Sequence, residues 1–306
     1  MHARVRAREL GLFSVIVVAG CLLRTVHLAT PSLWWDELVH LRTAQQSGWL
    51  EVFRAVKEGV PPGSGNAGAV PLDYLLLHGW LRAAPEPAAP WLEVYYRVPA
   101  FLFSCLALIV MWMFCRSTFG PAVAAVATTL LALSMPHVLY AAEARFYALW
   151  VLTTILNLWA FARLLEVPGS FRRWLFWAAA GIAMIGTGLY GLFLLGAEFA
   201  VLTVVGARAG RRAVVAMTVA GSAIAGLVGA YLAGTSLGAV YPRGYPAELR
   251  ACGAILDTAR FFAFDSQLLA WAFVLGLPLA LVVSRWVHAG ACRCWSPWHS
   301  RLWRSR

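Results

Sequence analysis

The sequence predicts an all-α membrane protein, a polytopic helical bundle of about eight spans with a long extracytoplasmic loop near its start. Three observations carry that expectation. Of its 306 residues, 61% are hydrophobic and only 13% charged, with a mean hydropathy of +0.70; soluble domains are about half apolar. The apolar residues come in runs, several of them near the 20 or so residues that cross a bilayer as a helix. Arginines recur at every second junction between those runs, which is how a positive-inside bias marks the cytoplasmic side. The net charge of +11 does not point to nucleic acid, because the arginines are dispersed between apolar runs rather than gathered on a polar domain.

Taken in order, residues 1–9 carry Arg4, Arg6 and Arg8 ahead of an apolar run over 10–28, so the first span starts from a cytoplasmic N-terminus. That run is too long for a signal peptide and lacks a cleavage site of small residues, so it is expected to remain as an anchor. The first outer loop, 29–94, holds seven of the chain's 14 acidic residues. Within it, 36–57 reads as one amphipathic helix whose interfacial face draws on Leu38, Leu41, Trp49, Leu50 and Phe53. A Gly- and Pro-rich loop over 59–70 ends it, and 71–81 is too short to span, which predicts a re-entrant or interfacial helix.

The second span covers 95–115, Arg116 and Gly120-Pro121 make a tight inside turn, and 122–139 returns outward. Glu143 to Tyr147 mark the outer end of the next span, which runs inward to 165. Spans over 174–189 and 190–207 follow, with Arg208, Arg211 and Arg212 inside. Residues 213–233 go out, 234–263 form a second outer loop, and 264–287 come back. The transmembrane domain is thus 1–288, with 289–306 an atypical cytoplasmic tail. Cys292 and Cys294, with His288 and His299, fit no structural zinc spacing, and the tail's density of Arg, Trp, Cys and Ser is that of a frameshifted or truncated reading. Cys21, Cys105 and Cys115 lie in apolar runs and make no disulfide framework.

The chemistry gathers at one stretch, Leu33-Trp34-Trp35-Asp36-Glu37. Tryptophan favours the membrane–water interface, which places Asp36 and Glu37 near headgroup depth. A carboxylate there can serve as a base on a substrate arriving from water while a lipid-borne group arrives from the side. The plainer reading is a helix start, since Asp and Glu favour the first turn. The outer ends of the spans add Arg97, Glu143, Arg145 and Tyr147. An arginine such as Arg145 suits a phosphate through paired hydrogen bonds; for Arg97 and Arg145 the alternative is snorkelling to headgroups. Glu143 and Tyr147, one helical turn apart, are expected to share a face. Tyr74 and His78 lie four apart on the short helix, a spacing that a packed aromatic face also explains. Glu198, inside a span, is expected to be a hydrogen-bonder of the bundle. Walker A and HExxH motifs are absent from the sequence, which argues against a nucleotide-driven pump or a zinc protease.

The ordered set resembles a family. A first span is followed by Trp34-Trp35-Asp36-Glu37 and an amphipathic segment, then Pro71-Leu-Asp-Tyr-Leu-Leu-Leu-His78. Tyr96-Arg97-Val98-Pro99 and Glu143-Ala-Arg-Phe-Tyr-Ala-Leu149 complete it. This resembles the bacterial GT-C glycosyltransferases that use polyprenyl-phosphate sugars, the dolichyl-phosphate-mannose–protein mannosyltransferase-like group, best over residues 10–165. The resemblance implies Asp36 as the catalytic base with Glu37 beside it, and Arg145, with Glu143, Tyr147 and Arg97, toward the lipid-phosphate donor. It leaves Tyr74 and His78 for the acceptor or its loop. The chain departs from the family in having Ala69-Val70-Pro71 where a His-Pro-Pro-type segment is usual, and Asp73 where an apolar residue is common. A His-Tyr pair is also missing around Tyr190, and members are commonly longer.

The expected function is therefore inverting transfer of a sugar from a polyprenyl-phosphate donor to a glycan, lipid or protein acceptor, at the outer face of a bacterial cytoplasmic membrane. A divalent metal at Asp36 and Glu37 is compatible with this chemistry and not required by it. Membrane lipids are expected partners; nucleic acid is not. A non-enzymatic lipid or solute transporter, whose intramembrane charges would line a path, is the competing class; an inactive truncated relative is a third.

Overall fold

A computed structural model describes residues 2–29, 32–58, 70–88, 91–209, 215–224 and 226, and the described residues form an all-α structure without strands. The expectations for 59–69, for the second outer loop, for the return over 264–287 and for the tail lie outside them. Ten helices are named here: α1 (His2–Thr25), α2 (Trp35–Ala44), α3 (Trp49–Glu58), α4 (Pro71–Ala83), α5 (Leu92–Thr118), α6 (Pro121–Leu133), α7 (Met135–Tyr140), α8 (Tyr147–Glu166), α9 (Phe171–Thr187) and α10 (Gly191–Ala209). Among the described residues, α5 and α8 are long and apolar enough to cross a membrane. At 1.5 Å per residue they reach about 40 and 30 Å, against a hydrocarbon core of about 30 Å.

Two elements differ from expectation. The single amphipathic helix over 36–57 is two helices, α2 and α3, broken at Gln45–Gly48. The Gln45 N–H still reaches Leu41 O, but Gly48 starts a new helix by offering its carbonyl to Val52. The break lets each half follow its own seat. Leu41 and Ala44 of α2 pack on Leu77, Tyr95 and Tyr96, whereas Val52 and Val56 of α3 pack on Tyr74. The outward return over 122–139 is also two helices, α6 and α7, broken at Ser134. Pro136 is the cause, since it has no N–H for the carbonyl four residues back and its ring crowds that turn.

Bundle order follows from shared seams. α5 packs on α6 and on α8, α1 covers α5 and α6, and α9 packs on α8 with α4 and α10 beside it. Ala107 and Val110 of α5 meet Leu149, Leu152 and Ile155 of α8 in a continuous apolar layer. α1 comes close because Gly20 has no side chain, and a Cβ there would stand 2.7 Å from Leu108 Cδ1. Gly120, at φ 96°, makes the left-handed turn into α6, with Pro121 at its first position. Outward-facing apolar side chains are abundant, among them Val15 and Leu22 on α1, Val126 and Leu130 on α6, and Phe193 on α10.

Two prolines create the same local problem and meet the same solution. Pro99 inside α5 leaves Tyr95 O without its helical donor, and the Trp80 indole on α4 donates to it at 3.1 Å. Pro136 leaves Ala132 O likewise, and Arg24 on α1 donates to it at 3.2 Å. Each break thereby becomes a tie between distant segments.

Candidate functional site

Helix α2 starts at Trp35, which puts Asp36 and Glu37 in its first turn, where the exposed N–H groups and the dipole favour carboxylates. The helix-start reading holds for both acids, and their side chains go to different places. Glu37 turns inward and is 0% exposed, and four N–H groups converge on it. Arg97 donates side-on, Nε to Oε1 at 3.0 Å and Nη2 to Oε2 at 2.9 Å. The Ala144 N–H reaches Oε1 at 2.7 Å, and the Trp34 N–H reaches Oε2 at 3.2 Å, the carboxylate closing back on the residue before its own helix. Arg97, 1% exposed, also donates to Leu28 O and Ser32 O. One buried ion pair thus fastens the end of α1, the start of α2, the start of α5 and the 141–146 turn.

Asp36 turns outward, with its side chain 43% exposed, and pairs with the Arg145 guanidinium, 18% exposed. Arg145 is also held by rings, its Cζ lying 5.5 Å from the centre of the Trp34 ring, 5.8 Å from Phe146 and 5.1 Å from Tyr147. Tyr147 is itself stacked on Tyr140 at 4.3 Å. Cation–π contacts contribute about 0.5–2 kcal/mol each, so the guanidinium keeps its place when its anion changes. The Arg145 Nε is enclosed with no partner among the described residues. Magnitudes separate the two pairs. A partly exposed pair such as Asp36–Arg145 is worth about 0–1 kcal/mol, whereas removing one partner of a buried pair such as Glu37–Arg97 costs about 3–5 kcal/mol. The upper pair is exchangeable and the lower one is scaffold.

This placement revises two expectations. Arg97 neither snorkels nor faces outward, because the Glu37 carboxylate and two carbonyls enclose it. Glu143 and Tyr147 do not share a helical face: α8 begins only at Tyr147, and 141–146 is a turn closed by Ala142 N–H to Leu139 O and Arg145 N–H to Glu143 O. That late start is what lets Arg145 point at Asp36. Glu143 remains beside the site. Burial pushes its carboxyl pKa above the usual range, the nearby Glu37 carboxylate adds to this, and Arg145 and Arg97 oppose it. Its Oε2 is enclosed without a partner among the described residues.

Beneath α2, Asp73 accounts for its own unexpected presence. Its Oδ2 accepts from His40 Nε2 at 2.7 Å, both side chains buried, and the His40 ring stacks on Tyr74 at 3.9 Å. This couple ties α2 to α4. His78 donates from Nδ1 to Ala44 O at 2.8 Å, and Trp49 of α3 meets its ring edge-on at 4.8 Å. Tyr74 and His78 therefore sit under and at the far end of α2, away from Asp36.

Sequence reasoning missed Arg24, which is fully buried without a carboxylate partner among the described residues. It donates to Gly20 O, Leu131 O and Ala132 O, to Ser104 Oγ at 2.7 Å, and to His137 Nδ1. The negative end of the α6 dipole takes the place of an acid. The available signal was an arginine inside the first apolar run, where a charge is costly unless its donors are met. Glu198 behaves as expected: Trp177 Nε1 donates to it at 2.7 Å, and the Asn157 amide nitrogen, turned toward the carboxylate, donates at 3.0 and 3.1 Å.

Among the described residues, no group of three or more His, Cys, Asp or Glu is arranged to hold a metal ion. No protein family, characterised protein or solved structure matches the chain.

Proposed function

We propose that the chain is a multi-pass bacterial membrane glycosyltransferase, with a cytoplasmic N-terminus and α2–α4 on the outer face. It would transfer one sugar from a polyprenyl phosphate to a hydroxyl acceptor. The observation that carries this reading is the exchangeable Asp36–Arg145 pair seated on a buried, non-exchangeable Glu37–Arg97 pair. A donor phosphate outcompetes one half-exposed carboxylate for Arg145, since it offers a guanidinium paired, charge-assisted hydrogen bonds. Recruitment of Arg145 by phosphate frees Asp36 at the moment the donor arrives, which couples donor binding to the appearance of the base.

In the reaction so read, Asp36 accepts the acceptor hydroxyl's proton as its oxygen bonds to the anomeric carbon. The bond from that carbon to the phosphate oxygen breaks with its electron pair, inverting the centre and releasing polyprenyl phosphate. Arg145 stabilises the charge that builds on the leaving group. Glu37 and Arg97 are positioning residues that fix α2 against the 141–146 turn. Exposed Trp34, Trp35 and Trp91 suit a site at headgroup depth, where a lipid-borne donor enters from the side.

The test is incubation of membranes containing wild-type or Asp36→Asn protein with radiolabelled polyprenyl-phosphate sugars, scored as label transferred per folded molecule. Loss of about 10²–10⁴-fold in the variant is expected. A variant that transfers normally removes the base and with it the mechanism. Sugar-independent passage of a lipid or solute by both proteins would establish the transporter reading instead.

A further inference from the structure

We propose that the far end of α2 carries a second site, a pocket for a single neutral sugar ring. The pocket encloses about 250 Å³ between the end of α2 and α4, lined by Gln45, Gln46, His78, Arg82, Glu86 and Tyr95 among others. Its floor is buried, formed by His78 and Tyr95, and its rim is exposed, formed by Gln45, Arg82 and Glu86. Drug-sized ligands fill cavities of about 300–1,000 Å³, so this one suits something smaller.

Its polar groups define the ligand. The Nδ1 of His78 faces the Ala44 carbonyl at 2.8 Å, an acceptor only, so Nδ1 carries the proton. The neutral ring then presents Nε2 as a bare acceptor, and Nε2 is buried with no partner among the described residues. A buried acceptor left unmade is costly; Nε2 is closed to water, so a ligand O–H satisfies it with a small shift of the His78 ring. At the rim, Glu86 Oε1 accepts from Tyr96 O–H at 2.6 Å and Arg82 donates to Ser47 O at 3.1 Å. Opposite charges, each already engaged, favour neither an anion nor a cation. Two glutamine amides add donors and acceptors, the Gln46 amide already giving one donor to Arg42 O at 2.9 Å. Mixed donors and acceptors, balanced charge and an aromatic floor are the chemistry of a polyhydroxylated ring rather than of a phosphate or an apolar chain.

Gln45 caps the helix whose first turn holds Asp36, nine residues earlier and about 13 Å away along the axis. A glycan held in the pocket would run along α2 toward Asp36, which makes the pocket a subsite for the acceptor, distant from the bond being formed. That last assignment rests on the transferase reading; the affinity for a sugar does not.

The experiment is saturation-transfer NMR on the full chain in a polyoxyethylene-ether detergent, which has no sugar headgroup. The probes are methyl mannoside, glucoside and galactoside, with inorganic phosphate as the anionic control. Saturable binding of at least one glycoside and none of phosphate is expected, for wild type and for Asp36→Asn alike. His78→Asn keeps the donor to Ala44 O and deletes the Nε2 acceptor, so it should weaken binding about tenfold. His78→Gln returns a polar group to that place and should restore most of the affinity. Gln46→Trp, at the partly exposed mouth, fills the pocket without touching the core and should abolish the signal. Glycoside binding that survives Gln46→Trp, or a wild type that binds none, overturns the proposal. Transfer without glycoside binding sinks the pocket alone, whereas glycoside binding in a protein that transfers nothing sinks the transferase reading and leaves the pocket standing.

Discussion

Replacing Glu37 by Gln changes one atom and should unfold more of this protein than replacing its neighbour Asp36 by Asn. Glu37 is fully enclosed and accepts four N–H groups, two from Arg97 and one each from Ala144 and Trp34. An amide retains one oxygen, so at least one of the two Arg97 donors must face an NH₂ group, and the guanidinium loses its counter-charge in a site closed to water. Stranding a buried charge in this way costs about 3–5 kcal/mol. At about 2–4 °C per kcal/mol for a chain of this order, the apparent melting temperature should fall by 6 °C or more. Asp36→Asn removes one member of a half-exposed pair and should cost about 1 kcal/mol at most. The assay is thermal unfolding of both variants in one detergent, followed by tryptophan fluorescence, with Glu37→Gln/Arg97→Gln as the third sample. Removing both partners also removes the stranded charge, so the double variant should be more stable than Glu37→Gln alone, a coupling of the sign a buried pair requires. Equal shifts for Glu37→Gln and Asp36→Asn, or strictly additive losses in the double variant, would refute the division into a scaffold pair and an exchangeable pair.

Arg145→Lys keeps the charge but not the paired donors or the planar stacking on Trp34 and Tyr147, so transfer should fall by an order of magnitude or more at unchanged expression; wild-type turnover in Arg145→Ala would reduce it to a headgroup anchor. The raised pKa of Glu143 makes the folded state prefer its protonated form. Stability from this group is therefore fully present below the ordinary glutamate value of about 4.3 and is lost as pH rises through the folded value. Glu143→Gln should flatten that decline and match or exceed the wild type at pH 7; an unchanged slope would show that other groups set it. Arg24→Gln should be strongly destabilising because it strands the Ala132 carbonyl, and Pro136→Ala, which returns a backbone N–H to that carbonyl, should lessen the loss when the two are combined. No recovery in the double variant would mean that Arg24 acts chiefly through Ser104 and His137.

The all-α character of the described residues, the short helix at 71, the turn at Gly120-Pro121 and the tight junction near Gly188 were legible in the sequence, because each is set by neighbours within a few residues. Apolar runs form helices, prolines and glycines end them, and tryptophans mark interfaces. The Trp34-Trp35-Asp36-Glu37 stretch was likewise legible as a place where acids start a helix. Which of the two acids faces outward was not, because adjacent helical positions differ by about 100° and only the packing partner decides which turns inward. Arg97, 60 residues away, is that partner, and its own fate was equally invisible from its position at the start of a span. The break of α2 from α3 reflects two separate seats, and the destinations of Arg24, His40 and Trp80 were set by carbonyls and carboxylates far along the chain. Local chemistry specifies what a segment forms and which groups it leaves unsatisfied. Only the tertiary structure specifies who satisfies them, since in a closely packed bundle those partners are chosen by proximity in space.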